Sequence, residues 1–162
     1  MLTHSYILEN FNYDPLTGIV TRNKRMGAGP AGGVVGSYHN MGYLRVMLFR
    51  KSYLLHRVIW FYVHGKWPEQ GLDHINGIKT DNRLCNLREA DQAQNMANRG
   101  PQTNNKSGYK GVWWDNTNKR WKSYIHVRKR RICLGTFKNL EDAVEAYKIA
   151  AVQYHGEFAR AA

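Results

Sequence analysis

The C-terminal third of the chain has the pattern that most restricts its fold: three short segments suited to strands, then a longer segment with helical spacing. GYKGVWWD, KRWKSYIHV and RRICLGTF are separated by the turn-like run at 116–118 and by Lys129, which predicts three strands. After Asn139, a potential N-cap, small and aromatic residues recur at helical spacing until Gly156. They are Ala143, Tyr147, Ala150, Ala151 and Tyr154. A three-stranded antiparallel sheet packed on one helix is the simplest arrangement that buries both elements.

Positive charge is concentrated in the predicted strands and not in the predicted helix. Residues 106–131 contain nine basic residues and one acidic residue, whereas residues 132–162 contain three basic and four acidic residues. The whole chain has a formal charge of +12 at neutral pH. A protein this basic usually has a polyanionic partner, because lysines and arginines that meet phosphates release condensed counterions. Charge alone leaves open the alternative of a basic surface without such a partner.

Residues 108–158 resemble the plant ethylene-response-factor (APETALA-type) DNA-binding domain. The shared elements are Tyr109-Lys110-Gly111-Val112, Arg120-Trp121, Leu134-Gly135-Thr136-Phe137 and the alanine-rich helix at 143–151. The resemblance implies that the sheet, rather than the helix, enters the major groove of double-stranded DNA, which admits a β-ribbon. Trp113 and Cys133 differ from the arginine and tryptophan that the family commonly has there, so the family's base preference does not carry over.

Alternation along the strands separates an inward face from an outward face. The residues expected to face the helix are Trp121, Ser123, Ile125, Val127, Ile132 and Leu134. The outward set is basic and aromatic, which suits contacts with phosphates and base edges. We expect DNA contacts from Lys110, Trp113, Arg120, Lys122, Tyr124, His126 and Arg131, with Cys133 on the same face.

The N-terminal part of the chain contains a second set of elements. Residues 5–53 are expected to form short strands and turns, and residues 54–64 a buried helix. The segment 72–99 predicts a strand, a loop, a second strand and a short helix capped by Asp91.

A polar segment with Gly and Pro but no periodicity, residues 99–107, is expected to be a linker. It divides the chain into an N-terminal domain at 1–98, with its core at about 54–98, and a C-terminal domain at 108–162.

The polar segment LDHINGIKTDNRLCNL, at 72–87, contains residues suited to phosphodiester hydrolysis. This reaction needs an activated water, a counter-charge for the developing negative charge, and alignment. His74 can act as a base near neutral pH, while Asp73 and Asn95 offer hard oxygen ligands for a divalent cation. Adjacent strand residues point to opposite faces, so we expect Asp73 and His74 at a strand end, next to the Asn76-Gly77 turn.

This segment resembles the HNH endonucleases, in particular the phage and intron homing group. The matching positions are His56-Arg57, Asp73-His74, Asn76-Gly77, Asp81-Asn82-Arg83, Asn86-Leu87 and Asn95, and YDPLTG at 13–18 is similar to the start of such phage proteins. The resemblance implies a ββα-metal fold in which His74 is the general base. It implies that Asp73 and Asn95 bind one divalent metal ion, Mg²⁺ or else Mn²⁺, and that Asn86 is the central asparagine that ties the loop to the strand. His56 is expected to be a packing or phosphate-contacting histidine rather than a catalyst.

Together the two resemblances imply an α+β protein that is a metal-dependent, site-directed DNA endonuclease (a homing endonuclease). We expect it to cut one strand of double-stranded DNA per active site, as a monomer or weak dimer, in the cytoplasm of the host cell if a phage encodes it. Deleting residues 106–162 is expected to weaken specific binding and to leave weak nicking. The alternatives are a non-catalytic DNA-binding transcriptional regulator that retains the HNH scaffold, and an RNA-binding protein.

Other classes of protein fit the sequence poorly. The two cysteines, Cys85 and Cys133, cannot form a four-thiolate zinc site or a disulfide framework, which is typical of a reducing compartment. The N-terminus lacks the pattern of a secretory signal, and the apolar stretch at 58–63 is too short to span a bilayer. We therefore expect no membrane partner.

Overall fold

The computed structural model describes residues 2–128 and 130–161. Within them the chain forms two compact units, one that ends at Ala90 and one that begins at Asp91. Both units combine helices with antiparallel strands, which confirms the predicted α+β class. The predicted turn residue Lys129 lies outside the described residues.

The N-terminal unit consists of antiparallel strands and two helices. Its elements are α1 (His4–Asn10), β1 (Phe11–Asp14), β2 (Ile19–Arg22), β3 (Ser37–Tyr38), β4 (Leu44–Leu48), β5 (Lys51–Leu54), α2 (Leu55–His64), β6 (Gly71–His74), a 3₁₀ turn (Leu84–Asn86) and β7 (Leu87–Ala90). The strands pair in the orders β1-β2, β3-β4-β5 and β6-β7. The β6-β7 pair and the loop between its strands form the predicted strand–loop–strand arrangement.

Helix α1 shows that the prediction of strands and turns was wrong for the start of the 5–53 segment. Thr3 caps the helix, because its Oγ1 accepts a hydrogen bond from the backbone N–H of Tyr6 at 3.2 Å. Ile7 and Asn10 are its buried residues. Seven residues make about two turns, too few for a helical repeat of apolar residues to stand out. Burial of Ile7, rather than local propensity, stabilises such a short helix.

Helix α2 forms the centre of the N-terminal core, as its apolar spacing predicts. Leu55, Val58, Ile59 and Phe61 are buried in it. Burying each of these side chains contributes about 1.5–3 kcal/mol relative to leaving it exposed. The Trp67 ring then stacks on Phe61 with centroids 4.5 Å apart, which fixes the chain between α2 and β6.

The C-terminal unit contains α3 (Gln92–Asn98), β8 (Val112–Asp115), β9 (Arg120–Val127), β10 (Arg130–Phe137), α4 (Leu140–His155) and a 3₁₀ turn (Gly156–Phe158). The three strands form an antiparallel sheet in the order β10-β9-β8, and α4 packs against it. Val112 and Ile125 of the sheet are buried with Ala143 and Tyr147 of the helix. The predicted sheet-on-helix arrangement is therefore confirmed.

Burial also confirms the predicted faces of β9 and β10. Ser123 and Ile125 are buried, and the other predicted inward residues, Trp121, Val127, Ile132 and Leu134, pack against the core. His126, Arg131 and Cys133 are exposed on the other face. The face that the sequence assigned to DNA is thus a solvent-facing surface of the unit.

The compact units differ from the predicted domains in the position of α3. The prediction placed this helix in a domain at 1–98, whereas its contacts group it with the C-terminal unit. Asp91 caps it, as predicted. The segment 99–107 lies within the same unit and contains hydrogen-bonded turns, because Asn105 and Ser107 each bond to backbone carbonyls further along the chain. The functional boundaries of the domains stay a prediction.

Candidate active site and nucleic-acid interface

Strand β6 ends at His74, so the Asp73-His74 pair lies where the chain turns, in agreement with the sequence argument. The His74 carbonyl accepts a hydrogen bond from the Gly77 N–H at 2.8 Å, and the φ of 72° at Gly77 favours glycine. In the β6-β7 ladder Asp73 lies opposite Arg88, and His74 lies opposite Leu87. Asp73 and His74 are 8% and 4% exposed. Their environment is therefore poorly hydrated, which strengthens the electrostatic interactions around them.

Asp73 forms an ion pair with its cross-strand neighbour. Arg88 donates from Nε and Nη2 to Oδ2 of Asp73, at 3.0 and 2.9 Å. The arginine offsets the cost of burying the carboxylate, which would be severe without a partner. It also competes with any cation that would bind Asp73 through Oδ2.

Asn82 orients the imidazole of His74. Oδ1 of Asn82 lies 3.1 Å from Nε2 of His74, and both side chains are buried. Because an amide oxygen only accepts, Nε2 carries the hydrogen and the lone pair resides on Nδ1. Burial lowers the pKa of His74 below its usual 6.5, while the Asn82 bond and the Asp73 charge act in the opposite direction. The ring is therefore neutral near neutral pH, in the form that can accept a proton.

The loop segment that holds Asn82 is fixed by the β1-β2 hairpin. Tyr13 Oη donates to the Asn82 carbonyl at 3.1 Å and accepts from the Leu84 N–H at 2.8 Å. Gly18, with a φ of 75°, lies so close to the backbone of Asn82 and Arg83 that a Cβ there would collide with it. Asn82 belongs to the Asp81-Asn82-Arg83 match, which by itself implies no separate role for this residue. Its contact with His74 could not be predicted from the sequence.

Asn86 cross-links the loop between β6 and β7, as the resemblance implies. Its Oδ1 accepts from the Asn76 N–H at 2.9 Å, and its Nδ2 donates to the Asp81 carbonyl at 2.8 Å. The Asp81 carboxylate accepts from Nε and Nη2 of Arg83 at 2.8 and 2.6 Å. These bonds from Arg83 hold the pKa of Asp81 well below its usual range. Hydrogen bonds from the Asn86 side chain thus hold the loop at Asn76 and at Asp81, within the turn that follows His74.

His56 packs against His74 in a small cluster of rings. The His56 and His74 centroids are 5.0 Å apart in an edge-on arrangement, and the Tyr43 ring lies 5.3 Å from His56 and 5.8 Å from His74. Burial, and then the neighbouring His74, lower the pKa of His56 to about 3. His56 is 3% exposed, so it is a neutral packing residue.

Asn95, the second predicted metal ligand, lies on α3 in the C-terminal unit, whereas Asp73 lies in the N-terminal unit. The side chains of residues 2–128 and 130–161 form no group of three His, Cys, Asp or Glu placed to hold a metal. A carboxylate oxygen and an amide oxygen are each of a type that Mg²⁺ accepts as a ligand. This ion usually binds proteins through one or two carboxylates and completes its shell with waters and substrate phosphates.

Four of the residues predicted to contact DNA form one cluster on the outward face of the sheet. The Trp113 and Tyr124 rings meet edge-on with centroids 4.6 Å apart, and Tyr124 meets His126 at 5.0 Å. The Arg131 guanidinium lies 5.0 Å from the Tyr124 centroid and 5.9 Å from that of Trp113. Stacking on aromatic rings orients a guanidinium while its N–H groups can still donate to an acceptor.

The remaining predicted DNA contacts have different surroundings. Lys122 forms an ion pair with Asp115 at 2.7 Å, which directs its ammonium along the sheet. Arg120 lies opposite Asp115 in the β8-β9 ladder. The Lys110 ammonium donates to the carbonyls of Met96 and Ala97, both at 2.7 Å. Lys110 and Lys122 thus both have partners within the unit, and Lys110 differs because its ammonium bonds to backbone carbonyls of α3 rather than to a side chain of the sheet.

Comparisons with known proteins give matches to two kinds of sequence. Residues 53–97 match a family model described as HNH endonuclease. Protein 3.8 of Escherichia phage T7 is 28% identical over 113 residues, which are 69% of this chain and 93% of that protein. An AP2/ERF and B3 domain-containing protein of Oryza sativa subsp. japonica is 33% identical over 87 residues, which are 54% of this chain and 21% of the rice protein. The chain thus spans only about a fifth of this rice relative.

A solved structure of the HNH homing endonuclease I-HmuI, described as showing DNA binding and cleavage, is 25% identical to the chain. It has a TM-score of 0.42 and covers 55% of this chain and 51% of its own. The family match supports nuclease activity for a segment that includes Asp73, His74 and Asn95. Among the described residues, no helix is both long and apolar enough to span a membrane.

Proposed function

We propose that the chain is a metal-dependent DNA endonuclease of the site-directed, homing type, which hydrolyses one strand of double-stranded DNA per active site. The observation that carries the proposal is the buried His74 imidazole, held by Asn82 and adjacent in the chain to the buried carboxylate of Asp73. A general base and a hard oxygen ligand for a cation are two of the groups that one-metal phosphodiester hydrolysis uses. Both residues lie in the segment 53–97 that matches the HNH endonuclease model.

In this mechanism His74 acts on the attacking water. Nδ1 takes a proton from the water as its oxygen approaches phosphorus, and the resulting imidazolium keeps its Nε2 hydrogen on Asn82. Asp73 and Asn95 would hold the divalent cation, most simply Mg²⁺, and when bound this ion stabilises the negative charge on the leaving 3′ oxygen. Asn86 maintains the loop that follows His74. The products would be a 3′-hydroxyl and a 5′-phosphate.

The sheet of the C-terminal unit would deliver this chemistry to a chosen sequence. Its outward face presents Trp113, Tyr124, His126 and Arg131 as one cluster, with Arg120 and Lys122 on the same sheet. Basic and aromatic side chains on a solvent-facing sheet fit phosphates and base edges of a wide groove. The resemblance to the ethylene-response-factor domain supports the same partner, double-stranded DNA.

Incubation of the chain with supercoiled plasmid and with phage genomic DNA tests the proposal. We expect conversion of supercoiled plasmid to nicked circles with Mg²⁺ or Mn²⁺, and none with EDTA. Products that accept a label from polynucleotide kinase only after phosphatase treatment would establish 5′-phosphate ends. Because one chain carries one such site, linear product should appear after nicked product.

One observation favours a different function, a non-catalytic DNA-binding regulator on the same scaffold. The ion pair between Asp73 and Arg88 occupies Oδ2, one of the two carboxylate oxygens that could bind the proposed metal, and this would suit a site that no longer binds a cation. The regulator is the correct description if the chain binds duplex DNA tightly but leaves it intact with Mg²⁺, Mn²⁺ and Ni²⁺. Equal affinity for duplex RNA and duplex DNA would instead indicate an RNA-binding protein.

A further inference from the structure

Helix α3, which carries Asn95, is too short to be stable alone. It has seven residues, Gln92–Asn98, and isolated helices of this length are not stable in water. Its first turn is satisfied by a capping box, in which the side chains of Asp91 and Gln94 bond to each other's backbone N–H. The last carbonyls of a helix have no partner within the helix. The C-terminal end of α3 is therefore where outside support matters most.

Lys110 provides this support. Its ammonium donates to the carbonyls of Met96 and Ala97, each at 2.7 Å, so that one side chain satisfies two carbonyls of the last turn. A positive charge at this end also interacts favourably with the helix dipole. Burial, followed by the charges of Arg160 and Arg99, lowers the pKa of Lys110 to about 8. The half-buried ammonium thus depends on these carbonyls for its hydrogen bonds, as they depend on it.

Lys110 and helix α3 also contact residues that follow α4. The Lys110 N–H donates to the Ala161 carbonyl at 2.9 Å, and the short 3₁₀ turn at Gly156–Phe158 packs against α3. Ala97 and Phe158 are both buried in the unit. Helix α3 is therefore held by residues that precede the sheet and by residues that follow α4.

We infer that Lys110 is a positioning residue of the nuclease rather than a DNA contact: it fixes helix α3, and with it Asn95, to the DNA-binding unit. The inference rests on the proposed function, which assigns Asn95 to the metal. It replaces the sequence-based assignment of Lys110 to the DNA interface. It also gives the C-terminal unit a second task, since the unit that binds DNA then holds one of the two proposed metal ligands.

Three variants of the full chain test this inference. Lys110→Met removes the ammonium, and Lys110→Arg retains a cationic donor. Lys148→Met is the matched control, because it removes an exposed lysine from α4. Hydrogen exchange followed by mass spectrometry reports the opening of α3 and of β9 separately, without metal or DNA. The rate of nicking is measured under single-turnover conditions, and the affinity for duplex DNA is measured by fluorescence anisotropy.

We expect amide exchange in 92–98 to be about tenfold faster in Lys110→Met, with exchange in β9 unchanged, because two charge-assisted hydrogen bonds are lost only at α3. Nicking should slow about tenfold, with duplex affinity within about twofold of the wild-type value. Lys110→Arg should restore most of both losses, and Lys148→Met should resemble the wild type.

Three results would overturn the inference. They are unchanged exchange in α3, faster exchange that extends equally to β9, and weaker DNA binding with normal nicking at saturating enzyme. If the wild-type chain does not nick any DNA, the proposed function fails instead. The exchange data would then still decide whether Lys110 stabilises α3.

Discussion

Replacing Asn82 with alanine should slow DNA cleavage without weakening DNA binding. The substitution removes the acceptor that lies 3.1 Å from Nε2 of His74 and leaves the Asn82 backbone bond to Tyr13 in place. The imidazole loses the contact that fixes both its orientation and its tautomer. Either proton position then becomes accessible to the ring, and only one of them leaves the lone pair on Nδ1.

The expected losses of cleavage rate and of stability in Asn82→Ala follow from the burial of both side chains. Asn82 is 1% exposed and His74 is 4% exposed, so the Nε2 hydrogen finds little water to replace the amide. A buried donor without an acceptor costs about 1–3 kcal/mol. If misorientation of the base raises the barrier by a similar amount, cleavage slows by roughly 10- to 100-fold, since about 1.4 kcal/mol corresponds to a factor of ten. The free energy of unfolding should fall by about 1–3 kcal/mol as well.

Single-turnover nicking of a labelled duplex at saturating enzyme separates the loss of cleavage rate from any loss of DNA binding. Thermal unfolding of the variant shows at which temperature it is folded, and nicking is measured there. Asn23→Ala is the matched control, because the Asn23 amide donates to the backbone carbonyls of Leu8, Glu9 and Phe11. We expect this control to lose stability but to nick at the wild-type rate. Wild-type nicking by folded Asn82→Ala, or an equal rate loss in both variants, would refute the argument that Asn82 orients His74.

Three further predictions concern stability. Gly111→Ala should destabilise the protein by at least about 2 kcal/mol, because the φ there is 72° and the added methyl collides with a backbone carbonyl and a tyrosine ring. The control Gly108→Ala, at a φ of 76° in open space, should cost only about 1 kcal/mol. Equal denaturation midpoints for the two variants would contradict this prediction. Tyr13→Phe should cost about 1–3 kcal/mol in a urea titration by leaving two backbone groups unpaired, and no change would show that these bonds are not needed. The Asp81 pKa is lowered on folding, so its contribution to stability is present above its ordinary 3.8 and is lost as pH falls below it. Asp81→Asn should therefore lower stability at neutral pH and flatten the loss of stability between about pH 5 and about pH 2.5, and a variant with the wild-type pH profile would contradict this.

Local patterns in the sequence were sufficient for much of the fold. The strand alternation around Tyr124 correctly predicted which side of the sheet packs on α4, because a period of two is a property of the strand itself. The Asn76-Gly77 signal correctly predicted the turn that places Asp73 and His74 at a strand end. Both predictions depend on residues within about four positions of each other.

The features that sequence analysis missed depend on contacts between distant segments. Asn82 reaches His74 only because the loop folds back, and Tyr13, 69 positions away, holds that loop. Lys110 looks like one more basic residue of a DNA-binding face until its bonds to Met96 and Ala97 are seen. No spacing rule predicts such pairs, because the intervening chain determines them.

The position of α3 changes one expectation in particular. The sequence alone predicts that a chain without residues 106–162 still nicks DNA weakly. The deletion would remove Lys110 and the 3₁₀ turn that pack on α3. We now expect the truncated chain to lose cleavage together with specific binding, since the helix that carries Asn95 would no longer be supported.

The central claim is that His74 is the base of a DNA-cutting site, and single-turnover cleavage by His74→Ala tests it most directly. The measurement uses a duplex that contains a cleavage site mapped with the wild-type chain, at saturating enzyme and with Mg²⁺. The account predicts that His74→Ala binds this duplex with wild-type affinity but nicks it at least about 10²-fold more slowly, the smallest effect expected from losing a general base. A folded His74→Ala variant that cuts the duplex at the wild-type rate would contradict the account.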